Sequence, residues 1–198
     1  MIFFLFFQLS LAQQVQKKPS TRNWSLGGGG GWFGIPVEVM EIFVYKSPKL
    51  EGETYALKIA YDQGQGGFLS TTYLFSLIYA RMSGSGGWQH KENSEEIGGD
   101  VDFTQYGATM SLIVNLFDFS SINPYLGVGL GVGIADVYVK GQLVEDIDVE
   151  EEDDFSQFVP VLCLPVGLRL KFKNMFNIKI EGGFQNGFYV NGFLSIYF

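Results

Sequence analysis

The sequence predicts an all-β fold, an eight-stranded antiparallel up-and-down transmembrane β-barrel, and three observations carry that prediction. Apolar residues recur with a period of two along most of the chain, while the 3.6-residue period of a helix is nearly absent. Gly numbers 26 of 198 residues and aromatic residues make 16 %, a balance that favours strands over a helix bundle. Short connections alternate with long polar ones, the layout of a barrel with short turns on one side and loops on the other.

The chain opens on an apolar run, residues 1–12, in which Ser10 and Ala12 supply the small residues of a signal-peptidase site and Gln13 begins the mature protein. The run is too short to span a bilayer as a helix, which needs about 20 residues. It lacks a basic leading region, and the alternative is a buried first strand. Residues 13–22 read as a polar periplasmic leader, and residues 23–198 as the barrel. No later stretch offers about 18 consecutive apolar residues, which leaves strands as the means of crossing.

The first strand, near 23–34, is Gly-rich between Trp24 and Trp32, and its register is open. Residues 54–62 set Tyr55, Leu57, Ile59 and Tyr61 against Thr54, Lys58 and Asp62. Residues 70–79 set Thr71, Tyr73, Phe75, Leu77 and Tyr79 against Ser70, Thr72 and Ser76. Residues 104–117 oppose Tyr106, Ala108, Met110 and Leu112 to Gln105, Gly107, Thr109 and Ser111. In 125–134, Leu126, Val128, Leu130, Val132 and Ile134 alternate with a row of four glycines, Gly127 to Gly133. From Leu162 to Phe172 the apolar set includes Leu164, Val166 and Leu168, against Cys163, Gly167, Arg169 and Lys171. Ile178 and Ile180 then alternate with Asn177, Lys179 and Glu181. The last strand sets Val190, Leu194, Ile196 and Phe198 against Asn191, Ser195 and Tyr197. Long connections are expected at about 35–52, 83–100 and 140–155, and short ones at 64–67, 120–123, 173–175 and the Gln185-Asn186-Gly187 turn. The pairing of residues 35–45 stays open.

Alternation cannot by itself say which face is outside. Three features place the apolar face outward. The glycine row suits a narrow eight-strand interior, and facing water it would only weaken the strand. Lys58, Asp62, Arg169, Lys171, Lys179 and Glu181 share the polar face in near-balanced signs, so inside a barrel they would pair as a charged plug. Tyr55, Tyr61, Tyr73, Tyr79 and Tyr106 fall near apolar strand ends, where interfacial girdles sit.

With these residues in view, the chain over about 22–198 resembles the small outer-membrane β-barrel family, the OmpA-like and OmpX-like eight-stranded barrels of Gram-negative-type bacteria. The carriers are Asn123-Pro124-Tyr125-Leu126-Gly127-Val128-Gly129-Leu130-Gly131 and the terminal Gly192-Phe193-Leu194-Ser195-Ile196-Tyr197-Phe198. The resemblance implies that Phe198, with Ile196 and Leu194, forms the signal read by the barrel assembly machinery. The short final hairpin departs from members with a long fourth loop. No peptidoglycan-binding domain follows, so tethering to the cell wall is not implied.

Composition narrows the function classes. Hydrophobic residues make 46 % and the mean hydropathy is +0.14, which excludes a disordered chain. A net charge of −8 argues against a nucleic-acid partner. One Cys and one His leave no multi-ligand metal cluster and no cofactor to expect. The acidic run Glu145 to Asp154 lacks the glycine-punctuated spacing of a calcium loop and reads as a solvated, self-repelling loop. His90 stands among Lys91, Glu92 and Asn93, a hydrophilic tip where the acyl chain of a lipid substrate would not reach it. Gly27 to Gly31 and Gly127 to Gly133 lack the Lys-Ser/Thr and the helix of a phosphate loop. Cys163 is expected as a small packed lumen side chain.

The expected protein is therefore a monomeric, non-enzymatic barrel of the bacterial outer membrane. Its partners would be membrane lipid, the assembly machinery, and an extracellular or envelope partner met by the acidic loops. A soluble periplasmic ligand-binding barrel and a lipid A-modifying enzyme are the alternatives.

Overall fold

The computed structural model describes residues 23–36, 44–46, 49–64, 67–90, 96–118, 121–143, 146–172 and 175–198. The signal-peptide and leader expectations, and most of the 35–45 stretch, lie outside them.

Alternation gives nine strands in chain order: β1 (Trp24–Ile35), β2 (Val44–Lys46), β3 (Leu50–Gln63), β4 (Leu69–His90), β5 (Glu96–Leu116), β6 (Ile122–Leu143), β7 (Asp146–Phe172), β8 (Phe176–Gln185) and β9 (Phe188–Tyr197). Eight of them close a ring of antiparallel neighbours, with β1 bonded to both β3 and β9 and β4 bonded to β5. The three-residue β2 stands outside the ring and pairs with the far end of β4, Val44 against His90 and Lys46 against Gln89.

The strands slant. A path round the wall from Leu126 through Val166, Gly182, Val190 and Trp32, then Glu53, Arg81 and Thr104, regains β6 at Asp136. That is ten residues from its start. Such a stagger over eight strands fixes a tilt of about 40° and an interior only wide enough for side chains.

The polarity is that of a membrane barrel and the reverse of a soluble one. Leu164 is 45 % exposed and Leu168 46 %, both on the outside, while Lys179 is 4 % exposed and Arg169 2 % inside. Leu57, Phe75, Met110, Leu130 and Val132 continue the outer apolar band. Two aromatic girdles bound it. On the loop side Tyr55, Tyr79 and Tyr106 stand level on adjacent strands, with ring centroids 6.4 Å and 5.3 Å apart. On the turn side Trp24 leans on Tyr61 at 5.0 Å and Phe68 meets Phe117 edge-on at 5.0 Å. The Tyr55 hydroxyl donates 2.8 Å upward to Glu53, and beyond it Lys49–Glu51 and Arg81–Asp102 form exposed ion pairs. A ring that is apolar below and charged above fits the boundary between acyl chains and headgroups.

Two expectations need correction. The stretches 83–100 and 140–155 were to be polar loops, yet strand pairing runs on through most of both, to Gln89 against Glu96 and Leu143 against Asp146. The reason is in residues the loop reading passed over: Val101, Phe103 and Val137 keep an inward apolar face above the membrane, packed with Phe33, Leu50 and Met82. The acidic run from Asp146 onward therefore belongs to β7, paired with β6, and is not a loop. The interior is also less uniformly polar than alternation implied, because Leu74, Ile113, Ala60 and Tyr125 form a second inward apolar cluster.

Candidate functional site

The lumen holds the chemistry. Inward positions of β3, β4, β7, β8 and β9 bring together charged residues far apart in the chain, and a slanted eight-strand ring holds most of them out of bulk water.

Two carboxylates organise the network. Asp62, on β3, receives Arg169 Nη1 at 3.1 Å and 3.2 Å on its two oxygens. It also accepts a hydrogen bond from the Thr72 hydroxyl and one from the Tyr197 hydroxyl at 3.1 Å. Thr72 in turn accepts from Arg169 Nη2 at 3.2 Å and from Asn115 Nδ2 at 2.9 Å. Glu181, on β8, accepts from Lys58 Nζ at 2.5 Å, from Tyr125 at 2.8 Å and from Tyr189 at 3.0 Å. The Lys58 ammonium also sits 3.8 Å above the Phe193 ring. Lys171 pairs with Asp118 at the turn-side mouth. Burial of each ion pair is tolerable because additional donors fill the remaining lone pairs.

Of the six residues expected as a plug, five are paired and Lys179 is not. The sequence showed near-balanced signs, but the register puts Lys179 directly across from Arg169 on the neighbouring strand, like charge against like. It makes no hydrogen bond or ion pair with the described residues, although it is 4 % exposed. The sequence puts Thr72 and Tyr197 on the polar face by parity but gives them no role, and it does not single out Asp118, Asn115, Tyr125 or Tyr189. Parity sets Tyr125 on the glycine face of β6 and Tyr197 on the polar face of β9, but parity does not say which group a lumen hydroxyl bonds to.

Glycine makes room for this network at particular points. A Cβ on Gly129 would lie 2.0 Å from Ser111 Oγ, and one on Gly167 would lie 2.8 Å from the Tyr125 hydroxyl that serves Glu181. Beside Lys58 and Glu181 a void of about 20 Å³, lined also by Cys163, Gln185 and Asn191, has room for a water molecule. Cys163 is buried on this face, as expected.

The fold has a solved counterpart. Over 88 % of this chain and 96 % of the other, it superposes on the crystal structure of Neisserial surface protein A (NspA), with a TM-score of 0.51 and 15 % identity. The chain has the fold of a small outer-membrane β-barrel. Ail, the attachment invasion locus protein of Yersinia pestis, is matched in complex with the heparin analogue sucrose octasulfate at a TM-score of 0.47 and 15 % identity, covering 90 % of this chain and 99 % of that one. Ail without that compound is matched at a TM-score of 0.44 and 16 % identity over the same shares. No family model and no curated protein sequence matches the chain.

Leu194 and Ile196 face outward on β9 toward the turn side, and Phe198 follows the strand, all three well exposed. His90 is the last residue of β4, and its side-chain surroundings lie outside the described residues.

Proposed function

We propose that this protein is a non-enzymatic integral barrel of the bacterial outer membrane, with a structural or surface-interaction role. The observation that carries the reading is the inverted polarity: an aromatic-bounded apolar exterior around an interior of paired charges. The fold shared with a neisserial surface protein supports it.

In this reading the Arg169–Asp62 and Lys58–Glu181 pairs, with Lys171–Asp118 at the mouth, are a plug that holds the wall rigid and blocks solute flow. Lys179 belongs to the plug as its unpaired member. Phe198, Ile196 and Leu194 offer the outward apolar terminus through which the assembly machinery would engage the chain. Contact with other molecules falls to the part of β4–β7 that rises beyond the Tyr55–Tyr79–Tyr106 row, where β7 carries the acidic sequence Asp146 to Asp154.

Membrane fractionation followed by electrophoresis of unboiled and boiled samples tests this. The protein should sediment with the outer membrane and migrate faster unboiled than boiled. Recovery in the soluble periplasmic fraction, with one mobility, would reject the reading.

A further inference from the structure

The lumen is not electrically closed. Among the described residues, the inward cations are Lys58, Arg169, Lys171 and Lys179, and the inward carboxylates are Asp62, Asp118 and Glu181. With all seven groups ionised, one positive charge is left over, on the buried Lys179.

The existing carboxylates have little to offer Lys179. Asp62 already takes Arg169, Thr72 and Tyr197, and Glu181 already takes Lys58, Tyr125 and Tyr189. Each accepts three different donors, near the capacity of a carboxylate. Other donors close by are also unmatched. Arg169 Nε is buried without an acceptor, and so is Asn177 Nδ2, whose amide oxygen is likewise unpartnered. Arg169 lies opposite Lys179 in the β7–β8 ladder, and Asn177 precedes Lys179 by one inward step. Ladder geometry sets the Arg169 and Lys179 Cβ atoms about 5 Å apart and Asn177 about 7 Å along the strand. Three N–H donors thus line one stretch of wall, and the carboxylates within electrostatic reach, Asp62 and Glu181, are already committed to other donors. Two adjacent buried cations in a low-dielectric interior repel strongly, and each unsatisfied donor adds a desolvation cost. A partner that supplies one negative charge and several acceptor directions removes both penalties. A monovalent anion does so without requiring the carboxylates to rearrange.

We propose that the lumen holds one small inorganic anion of halide size among Lys179, Arg169 and Asn177, as the missing counter-charge of the plug. The inference stands apart from the protein's surface role and from its membrane of residence, because it rests on the lumen alone.

Crystals of the full-length, detergent-extracted protein grown in bromide, with data collected at the bromine edge, test it directly. An anomalous peak within hydrogen-bonding distance of Lys179 Nζ is the expected result; density there without anomalous signal, or no density, overturns the proposal. Thermal unfolding in detergent gives a second reading. At equal ionic strength the midpoint should lie several degrees higher in chloride than in gluconate, which is too large to enter. In Lys179→Met that difference should vanish, and its persistence overturns the assignment to Lys179. If the variant does not fold, the bromide peak of the unaltered protein decides.

Discussion

Glu181 shows how a single side chain can hold three strands to a fourth. It sits on β8 and accepts hydrogen bonds from Lys58 of β3, Tyr125 of β6 and Tyr189 of β9. Glu181→Gln keeps the shape and strands a buried ammonium, so it should lower stability by about 3–5 kcal/mol in urea titrations of the micelle-bound barrel. Pairing it with Lys58→Met should recover most of that loss, because the uncompensated charge is gone. A double variant as weak as the single one would show that the pair is not the unit of stability. Gly129→Val tests the steric side. Its first added carbon would fall on Ser111 Oγ with wall on either side, so the variant should give no heat-modifiable band, whereas Gly192→Ala, where a Cβ meets nothing, should give a normal one. At this scale the charged lumen residues were legible because charges alternating with Leu and Ile have only one sensible direction to point. Their partners were not, since pairing depends on the stagger round the wall, which no single strand records.

Strands report their outward faces more faithfully than their lengths. On β6 every second residue from Leu126 to Ile134 is exposed, with Leu130 at 69 % near mid-wall. Leu130→Arg should cost about 2–4 kcal/mol in a lipid-vesicle unfolding assay, the usual penalty for a cation at the bilayer midplane. Tyr138→Arg, which is on the same strand but beyond the girdle, should change the midpoint little. The same strand explains where sequence reading stopped short. Past Ile134 the outward residues turn polar, which looks like a loop, yet Val137 still points inward onto Phe33, Leu50 and Met82. Outside the bilayer the pattern reverts to that of a water-soluble sheet, apolar in and polar out, so the lipid-facing period ends while the strand continues. The β8–β9 turn at the same end of the ring is sharper. Asn186 takes a left-handed conformation (φ 54°) at the β8–β9 turn, and its side chain donates to Pro160 O at 2.7 Å and accepts from Leu162 N at 3.2 Å. It thereby occupies the edge of β7 just where β8 gives out. Asn186→Ala should cost about 1–2 kcal/mol through the left-handed strain and the lost edge bonds together.

For the whole molecule, the fold class, the eight-strand ring and the direction of its polarity were legible from alternation, glycine placement and aromatic position. The ten-residue stagger, the rise of β4–β7 above the membrane and the isolation of Lys179 were not, because each depends on the order in which eight separate registers add up. Ser25 on the first ring strand lies opposite Tyr197 near the chain's end, and Gly34 opposite Phe188. Removing residues 188–198 should therefore abolish the fast-migrating band completely, leaving no partial barrel, since both β1 and β8 lose a neighbour and lipid tolerates neither bare edge.

That seam between the first and last strands also sets a timetable. No earlier hairpin can finish its work until β9 has been made, so all eight ring strands must have left the ribosome before the ring can exist. Until then the ribbon carries one greasy side with nothing to lie against. Its journey to the bilayer is a race between sealing and clumping, and escorts that keep it unfolded in transit would decide the yield more than the final stability does.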